Sequence, residues 1–385
     1  MIYLDNAATT YPKPPSVRRA VEEAFLRYGA NPGRGGHAMA MASAARVYAC
    51  REALAEFFGL EDPAGVIFTA NCTVSLNYVI KGLLGRGGHA VISSCEHNAV
   101  VRPLTALAAR GVTFTEAAVY PNDAPRTVES FRRAVRPDTR LILCTHASNV
   151  GGWRLPIREI GALAHRFGLP FAVDAAQSAG ILPIHMVDDN IDFLCMPGHK
   201  ALYGPMGTGV LLCRGEPRLM TVVEGGTGSA SLSPEQPEEL PDRFESGTVN
   251  VPGICGLHAG LRFVQKHGRG TLAVKETACM RRLYDRLAEV RGVRLHTLYP
   301  DLPHTVPMVT LTVEGMPSET VAAQLASAGI AVRAGLHCAP SAHRLMGTLP
   351  QGAVRFCPSA FTTTADVDET AKNLCRIARK ALQSP

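Results

Sequence analysis

Between residues 66 and 213, short apolar runs alternate with amphipathic stretches. Segments 66–69, 90–93, 112–116, 140–145, 169–173, 191–194 and 209–213 have the length and the bounding residues of strands. Segments 71–84, 98–110, 127–135 and 156–167 carry apolar side chains at helical spacing. Strands that are apolar along most of their length, rather than at every second residue, belong to sheets covered on both faces. The pattern therefore predicts an α/β fold, a mostly parallel sheet with helices on both sides. Upstream, 14–28 reads as a helix with Val17, Ala20, Val21, Ala24 and Phe25 on one stripe. A second helix spans 39–58, and Gly59 suits the position that ends it. Segments 252–267 and 271–290 read as helices leading out of the sheet. Beyond them the order changes to strand 305–313, helix 318–328, strands 330–333 and 353–356, and helix 365–382, a smaller α+β unit. The expected division is a large domain over 12–255, with 1–11 and 256–385 forming the small one.

Ligands in such sheets bind beyond the carboxyl ends of the strands. Polar residues gather at those predicted ends: Asn71, Cys72 and Thr73; Glu96 and His97; His146, Ser148 and Asn149; Asp174 and Gln177; His199 and Lys200. The bulk composition narrows the class. With 385 residues, 46% hydrophobic and 19% charged, the chain suits a soluble two-domain protein. Its net charge of +6 is dispersed, which argues against a nucleic-acid partner. No apolar run is long enough to span a bilayer, and the start, MIYLDNAATT, is unlike a signal peptide. Eleven cysteines without a C-x-x-C disfavour a metal site or disulfide framework and suit a reducing cytoplasm. The segment 216–242, rich in proline and acidic residues, reads as a long surface excursion. The glycine-rich NPGRGGH at 31–37 lacks the spacing of a dinucleotide fingerprint.

Of the seven lysines, Lys200 stands out, set among Gly, Pro and apolar residues in MPGHKALYGP. A desolvated lysine has a depressed pKa and serves as an amine nucleophile, as a Schiff base to an aldehyde requires. A buried structural lysine is the plain alternative. Asp174 closes the run FAVD, where a carboxylate needs a cation or donors. A protonated pyridine nitrogen is one such partner, and a turn cap is the other. His97 follows a strand and opens a helix, placed to stack on a planar ring or to cap. Cys72 and Thr73 open another helix, whose free N–H groups suit a phosphate. In RAGLHCAP, Cys338 sits in a loop beside His337 and near Arg333, and positive neighbours favour the thiolate. Arg355, on the strand that follows, suits a two-pronged grip on a carboxylate, or else a salt bridge.

Together, YLDNAATT, RGGH, EHNAVV, THASNVGG, VDAAQSAG, MPGHKALYGPMGTG, ESGTVN and RAGLHCAP resemble the class V aminotransferase family over nearly the whole chain. Within that family they resemble the cysteine desulfurases and selenocysteine lyases, and R-x-G-x-H-C-A resembles the second group of desulfurases. The resemblance implies a fold-type I transferase dependent on pyridoxal 5'-phosphate, acting on L-cysteine or L-selenocysteine. It implies a cytoplasmic homodimer that passes sulfur to an acceptor protein, as in iron–sulfur cluster assembly. It implies that Lys200 bonds the cofactor aldehyde, Asp174 pairs with the ring nitrogen, Gln177 approaches the phenolic oxygen and His97 stacks on the ring. Cys72, Thr73 and His199 fall at the phosphate, with Thr248 reaching it from the neighbouring subunit. Asn149 and Arg355 hold the substrate carboxylate, Ala7 and His37 line the pocket, and Cys338 accepts the sulfur. Three positions depart from the usual pattern: Pro197 for serine, Cys72 for threonine and Leu336 for histidine. Another reaction of the same class, or a cofactor-binding protein without turnover, are the alternatives.

Overall fold

The computed structural model describes residues 1–33, 35–215 and 219–383. Arg34 of the glycine-rich loop and residues 216–218 of the predicted excursion lie outside the described residues. In chain order the elements begin with β1 (Ile2–Tyr3), α1 (Pro15–Arg27), α2 (Ala38–Phe58), β2 (Val66–Thr69), α3 (Cys72–Leu84) and β3 (Gly88–Ser93). Next come α4 (Asn98–Ala106), β4 (Val112–Ala117), α5 (Ala124–Ala134), β5 (Thr139–Thr145), α6 (Ile157–Arg166), β6 (Phe171–Asp174), β7 (Phe193–Pro197) and β8 (Gly209–Cys213). The rest are α7 (Val251–His267), α8 (Arg269–Leu287), β9 (Val293–Leu295), β10 (Val309–Val313), α9 (Ser318–Ser327), β11 (Ile330–Ala331), β12 (Arg333–Gly335), α10 (Pro340–Met346), β13 (Ala353–Phe356) and α11 (Thr364–Gln383).

The large sheet has the order β2-β8-β7-β6-β5-β3-β4. All its pairings are parallel except the two made by β8, which runs against both neighbours. Alternate residues feed two cores. Val91, Ile142, Cys144, Leu194, Met196, Val210 and Leu212 pack on one side with α2, α6 and α7. Ala90, Ile92, Leu141, Leu143, Phe193, Cys195, Leu211 and Cys213 pack on the other with α3 and α4. Both faces are covered, which is why these strands read as unbroken apolar runs.

Local signals place the helix ends near the site. Asn71 caps α3 by accepting the Val74 N–H at 3.1 Å, and His97 caps α4 by accepting the Ala99 N–H at 3.0 Å. Gly59 ends α2 in the left-handed region at φ 67°, as expected from the sequence. Gly209, at the start of β8, has no room for a Cβ, which would collide with the backbone of Asn71. That close approach sets the start of α3 beside the end of β7, since Gly209 is the register partner of Pro197.

The small unit is a sheet of order β12-β13-β10-β9, antiparallel throughout, with α8, α9 and α11 packed on it. Leu4 joins that core, and β1 pairs in parallel with β11, so the N-terminus returns to this unit. Helix α7 packs differently from the expectation that it leads out of the sheet. Ile254, Leu257 and Leu261 enter the core of the large sheet. We therefore propose that the division falls at Gly268, after α7, rather than at 255. The strand expected over 305–313 is shorter, because Thr305 bridges Trp153 and Val306 donates to Gly152 at 2.8 Å before β10 begins. The chain is pinned just past the predicted excursion: Phe244 is buried against Tyr78, and Glu245 forms a buried ion pair with Arg51.

Candidate active site

Six strands of the large sheet point the same way, and the carboxyl ends of five of them, β2, β3, β5, β6 and β7, converge on one cavity. Asn71, Cys72, Thr73, His97, Asn149, Asp174, Gln177, His199 and Lys200 line it, with Thr145, Ala176 and Pro197. Asp174 is the last residue of β6, level with Thr145 on β5 and Cys195 on β7. It is 4% exposed, and its Oδ1 accepts the Ala176 N–H at 2.9 Å and the Cys72 thiol at 3.6 Å. A carboxylate so placed is sited by the ladder itself, because its backbone carbonyl also accepts the His146 N–H at 2.9 Å.

Lys200 stands in a tight turn after β7. Gly198 N–H donates to the Thr208 carbonyl at 2.9 Å, Tyr203 N–H to the Lys200 carbonyl and Gly204 N–H to the Gly198 carbonyl, both at 2.8 Å. Among the described residues no hydrogen bond holds Nζ. Burial pushes the lysine pKa down, and the attraction of Asp174 pushes against that shift. The neighbouring His199 is pulled down to about 4 by burial, with Lys200 and Lys13 adding to it. Its Nδ1 is buried without a partner among the described residues, and its carbonyl accepts from Thr9 Oγ1 at 3.1 Å and Lys13 Nζ at 2.6 Å. His97 is likewise held down by burial, with Asp174 acting in the opposite sense.

The small unit closes the site from above. Arg355 on β13 is 2% exposed; Nη1 donates to the Asn149 carbonyl at 2.7 Å and Nη2 pairs with Asp5 at 3.1 Å. Its Nε has no partner among the described residues. The Asn149 amide donates to the His337 carbonyl at 2.8 Å, and Asn98 N–H donates to the Cys338 carbonyl at 2.7 Å. The cysteine loop is thus tied to two elements of the cavity wall. Cys338 is exposed, whereas nine of the other ten cysteines are buried and Cys375 is half-buried. Ala7 is tied to the cavity wall, its carbonyl accepting from Gln177 Nε2 at 3.1 Å. His37 and Thr248 do not line the cavity. His37 is an exposed cap of α2, and Thr248 is exposed with its Oγ1 accepting from Asn31 at 3.3 Å.

Sequence reasoning passed over Lys13 and Tyr203. Burial takes Lys13 down to about 8, and the signal for it was a lysine between Pro12 and Pro14, unlike the lysines on helix surfaces. Tyr203 holds a left-handed φ of 58°. Its hydroxyl donates to Glu276 Oε1 at 3.1 Å and accepts from Ala360 N–H at 2.8 Å, joining the lysine turn to the small unit.

The buried titratable groups set a pH dependence. Burial raises Glu276 and Glu96 to about 8, above roughly 4.3 for an unfolded glutamate. The stability tied to these carboxyls is complete below about pH 4 and is lost as pH rises through 8. His146, His337, His343 and His199 are depressed to about 3 to 4. The stability tied to them is complete above roughly pH 6.5 and is lost as pH falls. Urea unfolding of the protein is therefore expected to show maximal stability near pH 6.5, declining toward both sides. Glu276→Gln keeps a partner for Tyr203 and is expected to flatten the limb between pH 6.5 and 8; an unchanged limb would show that Glu276 is ionised in the fold.

A family model described as aminotransferase class-V matches residues 2–370. The chain belongs to the class-V aminotransferase family. Class-V relatives span almost its full length. It is 33% identical to a probable cysteine desulfurase of Methanothermobacter thermautotrophicus, covering 98% of this chain and 94% of that protein. It is 32% identical to the cysteine desulfurase IscS of an Anaeromyxobacter species, covering 98% and 93%. The apo structure of a cysteine desulfurase from Thermococcus onnurineus superposes with a TM-score of 0.91 at 30% identity, covering 98% of this chain and 95% of that one.

Proposed function

We propose that this class-V protein is a cysteine desulfurase that uses pyridoxal 5'-phosphate to convert L-cysteine to L-alanine and leaves the sulfur on Cys338. The observation that carries this is the hydrogen bonding of the Cys338 loop to Asn98 and Asn149, on the wall of the cavity that holds Lys200 and Asp174. The cavity residues fit the cofactor. Asp174 offers a buried carboxylate for a protonated ring nitrogen, His97 a fixed imidazole for the ring face, and Gln177 an amide for the phenolic oxygen. The unpartnered His199 Nδ1 and the exposed start of α3 at Thr73 suit the phosphate. When bound, the cofactor supplies an electron sink for negative charge at the substrate's α-carbon.

The chain's own residues do the rest. Arg355 and Asn149 hold the substrate carboxylate. Lys200 would hold the cofactor through its amine, and its Nζ, when free, would be the base that takes the α-proton. Burial, by lowering the lysine pKa, favours the free amine needed for that transfer. Cys338 Sγ attacks the substrate sulfur, so that an S–S bond forms as the C–S bond breaks. The electron pair stays with the carbon fragment, which is protonated and leaves as alanine. Cys338 keeps a persulfide for a thiol of an acceptor protein. The protein acts as a homodimer: Phe25, Leu26, Met39, Met41 and Tyr48 are exposed on α1 and α2, while His37 and Thr248 stand outside the cavity of their own chain. That is the arrangement in which a second copy supplies them.

Alanine formed from L-cysteine, measured with and without reductant, tests the activity; added keto acid is expected to have no effect, and a requirement for it would indicate transamination. L-selenocysteine in parallel separates a lyase for that substrate. Arg355→Lys removes the planar fork while keeping the charge. Its KM for L-cysteine is expected to rise about tenfold or more, and an unchanged KM would remove Arg355 from the substrate's carboxylate.

A further inference from the structure

The cysteine loop holds two consecutive non-glycine residues in the left-handed region, His337 at φ 51° and Cys338 at φ 55°. Each costs conformational energy and persists only where its surroundings enforce it. Besides the backbone bonds to Asn98 and within the turn, a chain of side-chain contacts holds it. His337 is 5% exposed; its Nε2 lies 3.3 Å from the Arg333 carbonyl and its Nδ1 lies 3.1 Å from His343 Nε2. The two rings are parallel to within 7° with centroids 5.4 Å apart, so they meet edge to edge rather than face to face. His343, on α10, is fully buried, and its Nδ1 lies 2.7 Å from Thr348 Oγ1.

The direction of these bonds is determined. The Arg333 carbonyl only accepts, so His337 carries its proton on Nε2 and presents a bare Nδ1. His343 must then donate from Nε2, which leaves its Nδ1 bare, and Thr348 must donate its hydroxyl proton there. The scheme requires two neutral imidazoles. Burial depresses His337 to about 3, with Arg355, His343 and Arg333 adding to the shift and the bond to the Arg333 carbonyl opposing it, and depresses His343 to about 4, with His296 and Arg355 adding to it. We infer that Thr348, His343 and His337 form a one-directional hydrogen-bond relay that locks the turn carrying Cys338 and so positions its thiol over the cavity. This rests on Cys338 being the sulfur acceptor; the three are positioning residues, and none needs to touch substrate. Thr348 controls the turn from ten residues further along the chain because removing its hydroxyl leaves the buried His343 Nδ1 without a donor, and a tautomer change through both rings would only put an unpaired N–H in its place. That change would aim the His337 lone pair at the Arg333 carbonyl.

Thr348→Val removes the hydroxyl at nearly constant shape, and Thr348→Ser keeps it. The readout that needs no turnover is hydrogen exchange in the cofactor-free protein at two amides that report the turn. These are Asn98, which donates to the Cys338 carbonyl, and Ala339, which donates to the Leu336 carbonyl at 2.9 Å. Thr348→Val is expected to speed exchange at both by about tenfold, with Thr348→Ser within about twofold of the parent. In the loaded enzyme, Thr348→Val is expected to lower kcat by about tenfold at unchanged KM for L-cysteine, with recovery in the serine variant. Parent-like exchange in the valine variant, or equal impairment by serine and valine, overturns the relay. Thr348→Ala takes the place of the valine variant should that one not fold. If the parent enzyme makes no alanine, exchange at Asn98 and Ala339 still decides the relay, while the function proposed for Cys338 fails separately.

Discussion

Replacing Lys200 with alanine is expected to lower alanine formation from L-cysteine by on the order of 10⁴-fold or more, the upper range for removing a general base. The same substitution removes the amine that bonds the cofactor. The variant should still take up pyridoxal 5'-phosphate, because Asp174, Gln177, His97 and Thr73 remain, but without a covalent link. Borohydride treatment of the parent protein should fix the cofactor to the peptide containing Lys200 and to no other lysine. In the variant it should fix none. Lys200→Arg should be equally inactive, since a guanidinium stays protonated and cannot accept the α-proton. Substantial turnover in either variant would show that the proton goes elsewhere. The backbone bonds that hold the turn, from Gly198, Tyr203 and Gly204, do not involve the lysine side chain, so the fold should survive and the loss should report chemistry.

Cys338→Ser separates the sulfur step from everything before it. Cofactor uptake and the spectral change on adding L-cysteine should be unchanged, because Lys200, Asp174 and Arg355 are untouched. Alanine release should fall by about 10³-fold or more, since a serine hydroxyl is a far weaker nucleophile toward sulfur than a thiolate. Nine of the other cysteines are buried. Burial pushes the thiols of Cys72, Cys144 and Cys195 well up and holds Cys357 at about 12. None is a ready substitute, although Cys72 faces the same cavity. Alanine release near the parent rate would remove Cys338 from the reaction.

The central sheet was legible because strands covered on both faces carry little polar interruption, and the polar residues that end them fall where one cavity forms. Asp174, Lys200, His97, Asn149 and Gln177 could be found on that ground, and all five line it. Shorter features were not. Strand β9 has three residues and α10 has seven, too few for a periodic signal against their neighbours. The packing of α7 could not be foreseen, since Ile254, Leu257 and Leu261 look the same whichever core receives them. His343 and Thr348 carried no local mark, because the bonds from Thr348 to His343 and from His343 to His337 depend on α10 folding back against the loop. Residues that function across a subunit boundary, as proposed for Thr248 and His37, are marked only by resemblance to the family.

A single turnover with L-cysteine in the absence of reductant tests the central claim most directly. Cofactor-loaded protein, mixed with excess substrate and quenched, is digested, and alanine is counted against the sulfur carried by each cysteine peptide. The expected result is one alanine per subunit and one added sulfur atom on the peptide containing Cys338. Alanine formed with that peptide unchanged, or sulfur found on another cysteine, would contradict it.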